Sequence, residues 1–319
     1  MTSLGSAGVV HDLAAAHEIT SLRVMHRGRV VIAVGPQDKP IPVSSIRKSI
    51  LSALFGWPIE RGLVQLDSTL ADFGIDDSPE LTPLELSATL EDLLASSSGV
   101  YLPLNFESSY DIFQNTAASW PGRGSAPPGT KFHYSNWDFN VLGEIYQRVT
   151  GTALFVAVDR LLAEPLGFRD WNPLQHARLR YAYDPLGATP RFPNFAMQLS
   201  ARDLARLGQL YLNCGMWNGQ QVVPANWVEQ STRCLAQTGL PNPFGHYGYL
   251  WWTIDDTNES ALPGGSYSAI GLGGKVISIV PADDLVIVAL CAHMAGASTQ
   301  VAIPDDIVNA VRACIAAND

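Results

Sequence analysis

The chain has 319 residues, 47% of them apolar and 16% charged, with a formal net charge of −10. That length supports one large domain with an ample core, and the composition is that of an ordinary globular protein. The negative balance, with no Lys/Arg cluster beyond short pairs, excludes nucleic acid and anionic membrane surfaces as partners, since both require basic patches.

The amino-terminal stretch MTSLGSAGVVHDLAAAHEI has neither the cationic start nor the apolar run of a secretory signal. No segment approaches the ~18–20 apolar residues of a membrane span, so the expected compartment is the cytoplasm. Residues 21–34 (SLRVMHRGRVVIAV) predict two strands joined at Arg27-Gly28. A helix over 45–61 follows, with Pro42 and Ser44-Ser45 as its start signal. Its apolar residues Ile46, Ile50 and Leu54, with Leu51 and Phe55 beside them, repeat at helical spacing. Residues 81–95 predict a helix opened by Thr82-Pro83, and 100–130 a loop rich in Pro, Gly and Ser. A helix over 137–149 carries Phe139, Leu142, Ile145 and Tyr146 inward, and helices are expected over 152–163, 200–213 and 224–233.

The carboxy-terminal part changes character. Residues 247–254, 275–280 and 285–293 are strand-like, and 304–317 form an amphipathic helix. The pattern predicts an α/β (α+β) fold in a single domain. An antiparallel sheet is built from both chain ends and covered by the terminal helix and the 45–61 helix. The lobes are expected at about 1–62 plus 240–319 (α/β) and about 63–239 (mostly helical), with a small-molecule cleft between them.

The first turn of the 45–61 helix contains Arg47 and Lys48. Cations there oppose the partial positive charge of a helix amino terminus, at a few tenths of a kcal/mol up to about 1 each. A role for Ser45 as a mere cap competes with a chemical one, but a capping box would put Glu or Gln, not Lys, three residues later. Residues i and i+3 share a helix face, so the Ser45 hydroxyl and the Lys48 amine can meet. Burial and the dipole end are expected to lower the pKa of that lysine, making it a base for an otherwise poor nucleophile.

Two further stretches extend the pattern: Lys131-Phe132-His133-Tyr134-Ser135-Asn136 before a helix, and Ala269-Ile270-Gly271-Leu272-Gly273-Gly274-Lys275 before a strand. With these, the chain resembles the serine β-lactamase and penicillin-binding-protein superfamily. It is most similar to the class C-like branch with 6-aminohexanoate-dimer hydrolases and esterases. The order and spacing of SIRKSILSALFG, PPGTKFHYSNWDFNVLGEIYQRVTG, HYGYLWW and GLGGKVISIVPADDLVIV carry the resemblance over nearly the whole chain.

The resemblance implies that Ser45 is the acylated nucleophile, Lys48 its base and Tyr134 the second proton shuttle. It implies an oxyanion hole from the backbone N–H groups of Ser45 and Leu272. Asn136, Ala269 and Gly271 would meet the substrate. One departure matters: the family's third motif begins with Lys or His, and here Ala269 stands in that place. That points away from a true β-lactamase or DD-peptidase and towards amide and ester hydrolases, although Lys275 is a possible substitute cation.

Other motifs fail. The glycine-rich stretch at 271–275 lacks the Walker pattern, and G-x-S-x-G is absent. The seven histidines show no metal-ligand spacing, so neither a metal nor another cofactor is expected, and His133 is read as a packing residue. Cys214, Cys234, Cys291 and Cys314 are widely spaced and are expected to be reduced and mostly buried. Tyr247, Tyr249, Trp251 and Trp252 read as sheet core, with one or two rings lining the cleft. The sequence reading is therefore a serine hydrolase acting on a small amide or ester. The alternatives are an acyltransferase using the same acyl-enzyme and a catalytically idle binding or sensor protein.

Overall fold

The computed structural model describes residues 3–102, 121–179, 191–192, 194–240, 243–257, 260–292 and 303–317. It begins with helix Ser3–Ala16 (α1), strands Ser21–His26 (β1), Arg29–Val34 (β2) and Ile41–Pro42 (β3), and helix Ile46–Glu60 (α2). Short helices Pro83–Leu86 (α3) and Leu90–Leu94 (α4) precede the long Asn136–Thr150 (α5). Leu154–Val158 (α6) runs through a π-helical turn, Asp159–Ala163, into Glu164–Leu166 (α7), and Pro173–Leu179 (α8) follows. Next come Gln198–Leu199 (β4), Ala201–Leu212 (α9), Met216–Trp217 (β5), Gln220–Gln221 (β6) and Ala225–Ser231 (α10). The chain closes with Ala236–Gln237 (β7), His246–Tyr247 (β8), Trp252–Thr253 (β9), Tyr267–Gly271 (β10), Lys275–Val280 (β11), Leu285–Leu290 (β12) and Asp305–Ala316 (α11).

Strands from both chain ends share one antiparallel sheet, in the order β2-β1-β12-β11-β10-β9-β8-β7. β1 lies against β12 with Ser21 opposite Leu290 and His26 opposite Leu285. β10, β11 and β12 are buried on both faces, because helices cover both. Alternation divides their side chains. Tyr267, Ala269, Ile277, Ile279, Val286 and Val288 join the core that includes α2 and α9, whereas Ile270, Val276, Val280, Leu285 and Ile287 meet α1 and α11. Two elements from the 63–239 stretch, α9 and β7, thus belong to the sheet side of the molecule.

The hairpin at Arg27-Gly28, the 45–61 helix, the 137–149 helix, the 275–280 strand, the strand starting at 285 (which ends at Leu290) and the terminal helix occur where the sequence predicts them. Four expectations need correction. The 81–95 segment is two helices, because Thr82 with Glu85 and Thr89 with Asp92 each close a capping box and restart the backbone. The 247–254 segment is not one strand. Gly248 N donates to the Trp251 carbonyl at 2.8 Å and Leu250 adopts φ +65°, so the chain reverses between β8 and β9. The 152–163 helix passes into the π-helical turn. Of the cysteines, Cys291 and Cys314 are buried but Cys214 and Cys234 are exposed. Most of the predicted 100–130 loop, residues 103–120, and position 293 lie outside the described residues.

Candidate active site

β3 fixes the approach to α2. Ile41 pairs with Leu199, and Val43 N donates to the Met197 carbonyl at 3.0 Å. Ser44 then takes φ +51°, a left-handed conformation costing a non-glycine residue about 1–2 kcal/mol, and the chain turns into the helix. Ser45 is the N-cap residue, yet its side chain makes no capping hydrogen bond. Ser45 itself is half-buried. One turn on, Lys48 N donates to the Ser45 carbonyl at 3.0 Å, and the Lys48 side chain is 1% exposed. Arg47 is buried as well, with its guanidinium 4.4 Å from the centre of the Phe195 ring.

Lys48 Nζ donates to the Tyr134 hydroxyl at 2.8 Å and lies 3.9 Å from the centre of the Phe139 ring. Tyr134 comes from the segment entering α5, and several contacts hold it in place. His133 N donates to the Ser96 carbonyl at 2.7 Å, and the His133 ring packs edge-on against Tyr101 at 5.3 Å. Burial, with a smaller effect of Lys131, holds the His133 imidazole down to about 4, so it is neutral at pH 7. The Tyr134 ring stacks on Trp252 at 5.4 Å and tilts against Phe139 at 4.8 Å. Tyr247, edge-on to Tyr134, has its own hydroxyl pushed well above the usual tyrosine range by burial and by the neighbouring Tyr134 and Asp138. Asn136 is the first residue of α5 and half-buried.

The end of β10 closes the other side. A Cβ built on Gly271 would meet the Val43 carbonyl oxygen at 2.4 Å and Ser45 N at 3.3 Å, so only glycine lets the strand approach this closely. Ser44 Oγ donates to the Leu272 carbonyl at 3.3 Å, tying the turn after β10 to the start of α2. Ala269 is fully buried on the strand face shared with Gly271. Lys275, the other cation near this motif, turns its amine onto the Leu272 and Gly273 carbonyls at 2.9 and 3.4 Å. Ser45, Lys48, Tyr134, Gly271 and Leu272 thus converge from three separate parts of the chain, with Asn136 two residues beyond Tyr134. Among the described residues no group of three or more His, Cys, Asp or Glu side chains could hold a metal ion.

A sequence-family model described as Beta-lactamase matches residues 10–311. The chain belongs to the beta-lactamase family. Among β-lactamase-family relatives, the 6-aminohexanoate-dimer hydrolase of Paenarthrobacter ureafaciens is 32% identical over 176 residues, 53% of this chain and 41% of that protein. Esterase EstB of Burkholderia gladioli is 28% identical over 151 residues, 42% of this chain and 38% of that protein. The matched segments span less than half of either relative. The solved structure of EstCE1, described as a hydrolase with promiscuous acyltransferase activity, superposes with a TM-score of 0.70 at 18% identity and covers 97% of this chain and 98% of that one. At that identity the likeness concerns the β-lactamase fold alone.

Two ring contacts at this site go beyond the sequence reading, which expected one or two rings of the 247–254 run to line the cleft without saying which. Phe139, read only as helix core, presents its ring face to the Lys48 amine. Trp252 is the one member of the 247–254 aromatic run that stacks on Tyr134. Both relationships are tertiary; the only local signal is the aromatic density of the two segments.

Proposed function

We propose that this β-lactamase-family protein is a serine hydrolase that opens a small amide or ester through an acyl-enzyme on Ser45. The observation that supports it most is the hydrogen bond from the buried Lys48 to the half-buried Tyr134, one helical turn from a serine hydroxyl not used for capping. Ser45 Oγ attacks the substrate carbonyl carbon as its proton passes to the Lys48–Tyr134 pair. The developing oxyanion is received by the backbone N–H groups of Ser45 and Leu272, a contribution of about 10²–10³ in rate for each such donor. Tyr134 returns the proton to the departing amine or alcohol. Water then attacks the acyl-serine ester, and the same pair takes its proton and restores the Ser45 hydroxyl. Asn136 and the Ala269–Gly271 strand end would hold the substrate on either side of the reacting carbonyl.

The names of the two sequence relatives, an amide-dimer hydrolase and an esterase, support the same substrate class. The test is steady-state hydrolysis of a panel of neutral p-nitrophenyl esters and linear amides by wild type and Ser45→Ala. The substitution is expected to abolish turnover while leaving the thermal midpoint nearly unchanged. Retained turnover in Ser45→Ala contradicts the assignment.

A further inference from the structure

Lys275 is only 2% exposed, at the first position of β11 and directly opposite Gly271 in the sheet. Burying an ammonium group is costly unless hydrogen bonds compensate. Burial holds the Lys275 amine below its usual range, an effect that the nearby Cys291 thiol opposes. What the amine gains is the turn between β10 and β11: it donates to the Leu272 carbonyl at 2.9 Å and reaches the Gly273 carbonyl at 3.4 Å. Ser44 Oγ donates to the same Leu272 carbonyl at 3.3 Å. The turn itself is permissive, since Gly273 and Gly274 sit at φ +80° and +68°. Its position therefore depends on what fastens it from outside.

We propose that Lys275 is a positioning residue for the oxyanion turn. Its amine grips the Leu272 carbonyl from β11 while Ser44 grips it from the start of α2, so the Leu272 amide is held where the reacting carbonyl needs it. This inference rests on the Ser45 acyl-enzyme reading. It assigns the lysine near the third motif to the enzyme's own backbone and not to a substrate carboxylate. Preorganised donors act by being fixed before charge develops, so loosening the turn weakens transition-state binding more than ground-state binding.

The test compares wild type, Lys275→Gln (a neutral donor one bond shorter) and Lys275→Met (no donor). Hydrolysis of p-nitrophenyl butyrate is normalised to the active fraction labelled by a fluorophosphonate. Inhibition by phenylboronic acid, which forms a tetrahedral adduct on a serine oxygen, is measured alongside. Lys275→Met is expected to lower kcat about 10- to 100-fold, with KM within about 3-fold, and to weaken boronate binding by a similar factor. Lys275→Gln should fall between, so that log kcat and log boronate affinity move together with a slope near one. A purely structural role would lower the thermal midpoint and the labelled fraction but leave normalised kcat and boronate affinity unchanged. That result in either variant overturns the proposal, and the Gln variant suffices if the Met variant does not fold. Failure of wild-type Ser45 to take the fluorophosphonate would instead refute the acyl-enzyme reading, a separate outcome.

Discussion

Lys48 Nζ is held between the Tyr134 hydroxyl, 2.8 Å away, and the face of the Phe139 ring, 3.9 Å from its centre. One helix supplies the amine, while the tyrosine and the phenylalanine flank the start of another. Removing either polar partner breaks this hydrogen bond. Lys48→Ala and Tyr134→Phe are each expected to lower kcat by about 10²–10⁴. The double variant should be little worse than the poorer single one, because the two act as a unit. Full activity in Tyr134→Phe would assign the proton transfers to Lys48 alone.

Gly271 offers a steric test of the oxyanion side. A methyl group there collides with the Val43 carbonyl oxygen at 2.4 Å, so β10 or the Ser44 turn must shift. Gly271→Ala is expected to destabilise the fold by about 1–3 kcal/mol, as overpacking does, and to cut kcat disproportionately. Urea denaturation and kinetics on the same preparation separate the two effects. A stability loss with unchanged kcat would show that the strand end takes no part in the reaction.

The missing cation of the third motif bears on substrate choice. Ala269 is fully buried where relatives are expected to offer Lys or His, and Lys275 is turned onto backbone carbonyls. A charge-assisted hydrogen bond to a substrate carboxylate is worth about 1.5–3 kcal/mol, or roughly 10–150-fold. Nitrocefin should therefore show a kcat/KM lower by about that factor than a neutral p-nitrophenyl ester of similar size. Comparable values would mean that another cation meets the carboxylate.

Position 133 gives a pH signature independent of catalysis. The folded state holds the His133 imidazole down to about 4, against 6.5 for an unperturbed histidine. Between those values the unfolded chain binds a proton that the folded one refuses, so stability falls as pH drops from 6.5 towards 4. Above pH 6.5 both states are neutral and the effect vanishes. The full loss is about 3 kcal/mol, at 1.36 kcal/mol per unit. His133→Phe keeps a ring against Tyr101 and removes the titration. Urea midpoints at pH 7 and 4.5 should converge between wild type and variant only at the higher pH after allowance for a constant offset. Parallel pH dependences would show that His133 does not titrate in this way.

Much of this arrangement was legible in the sequence because its signals are local. Ile46, Ile50 and Leu54 mark a helix, Lys48 in place of Glu or Gln denies Ser45 a capping box, and Arg27-Gly28 punctuates a hairpin. What stayed hidden depends on partners distant in sequence or on competing local signals. Helix α1 has no acidic residue in its first turn and little amphipathic contrast, so nothing in 3–16 announces it. Thr89 with Asp92 is a second capping box, but the apolar run around it reads as continuous helix. Leu250 turns the chain between the aromatic-bearing strands β8 and β9 without a Pro, Asn or Asp to signal it. The stacking of Trp252 on Tyr134 and the fastening of Leu272 by Lys275 arise only once the sheet has formed.

The central claim is that Ser45 becomes acylated. Wild-type protein treated with a fluorophosphonate, digested and sequenced by mass spectrometry should carry a single adduct, on the Ser45 hydroxyl, and lose activity in proportion to labelling. An adduct on any other serine that tracks the loss of activity would contradict the account.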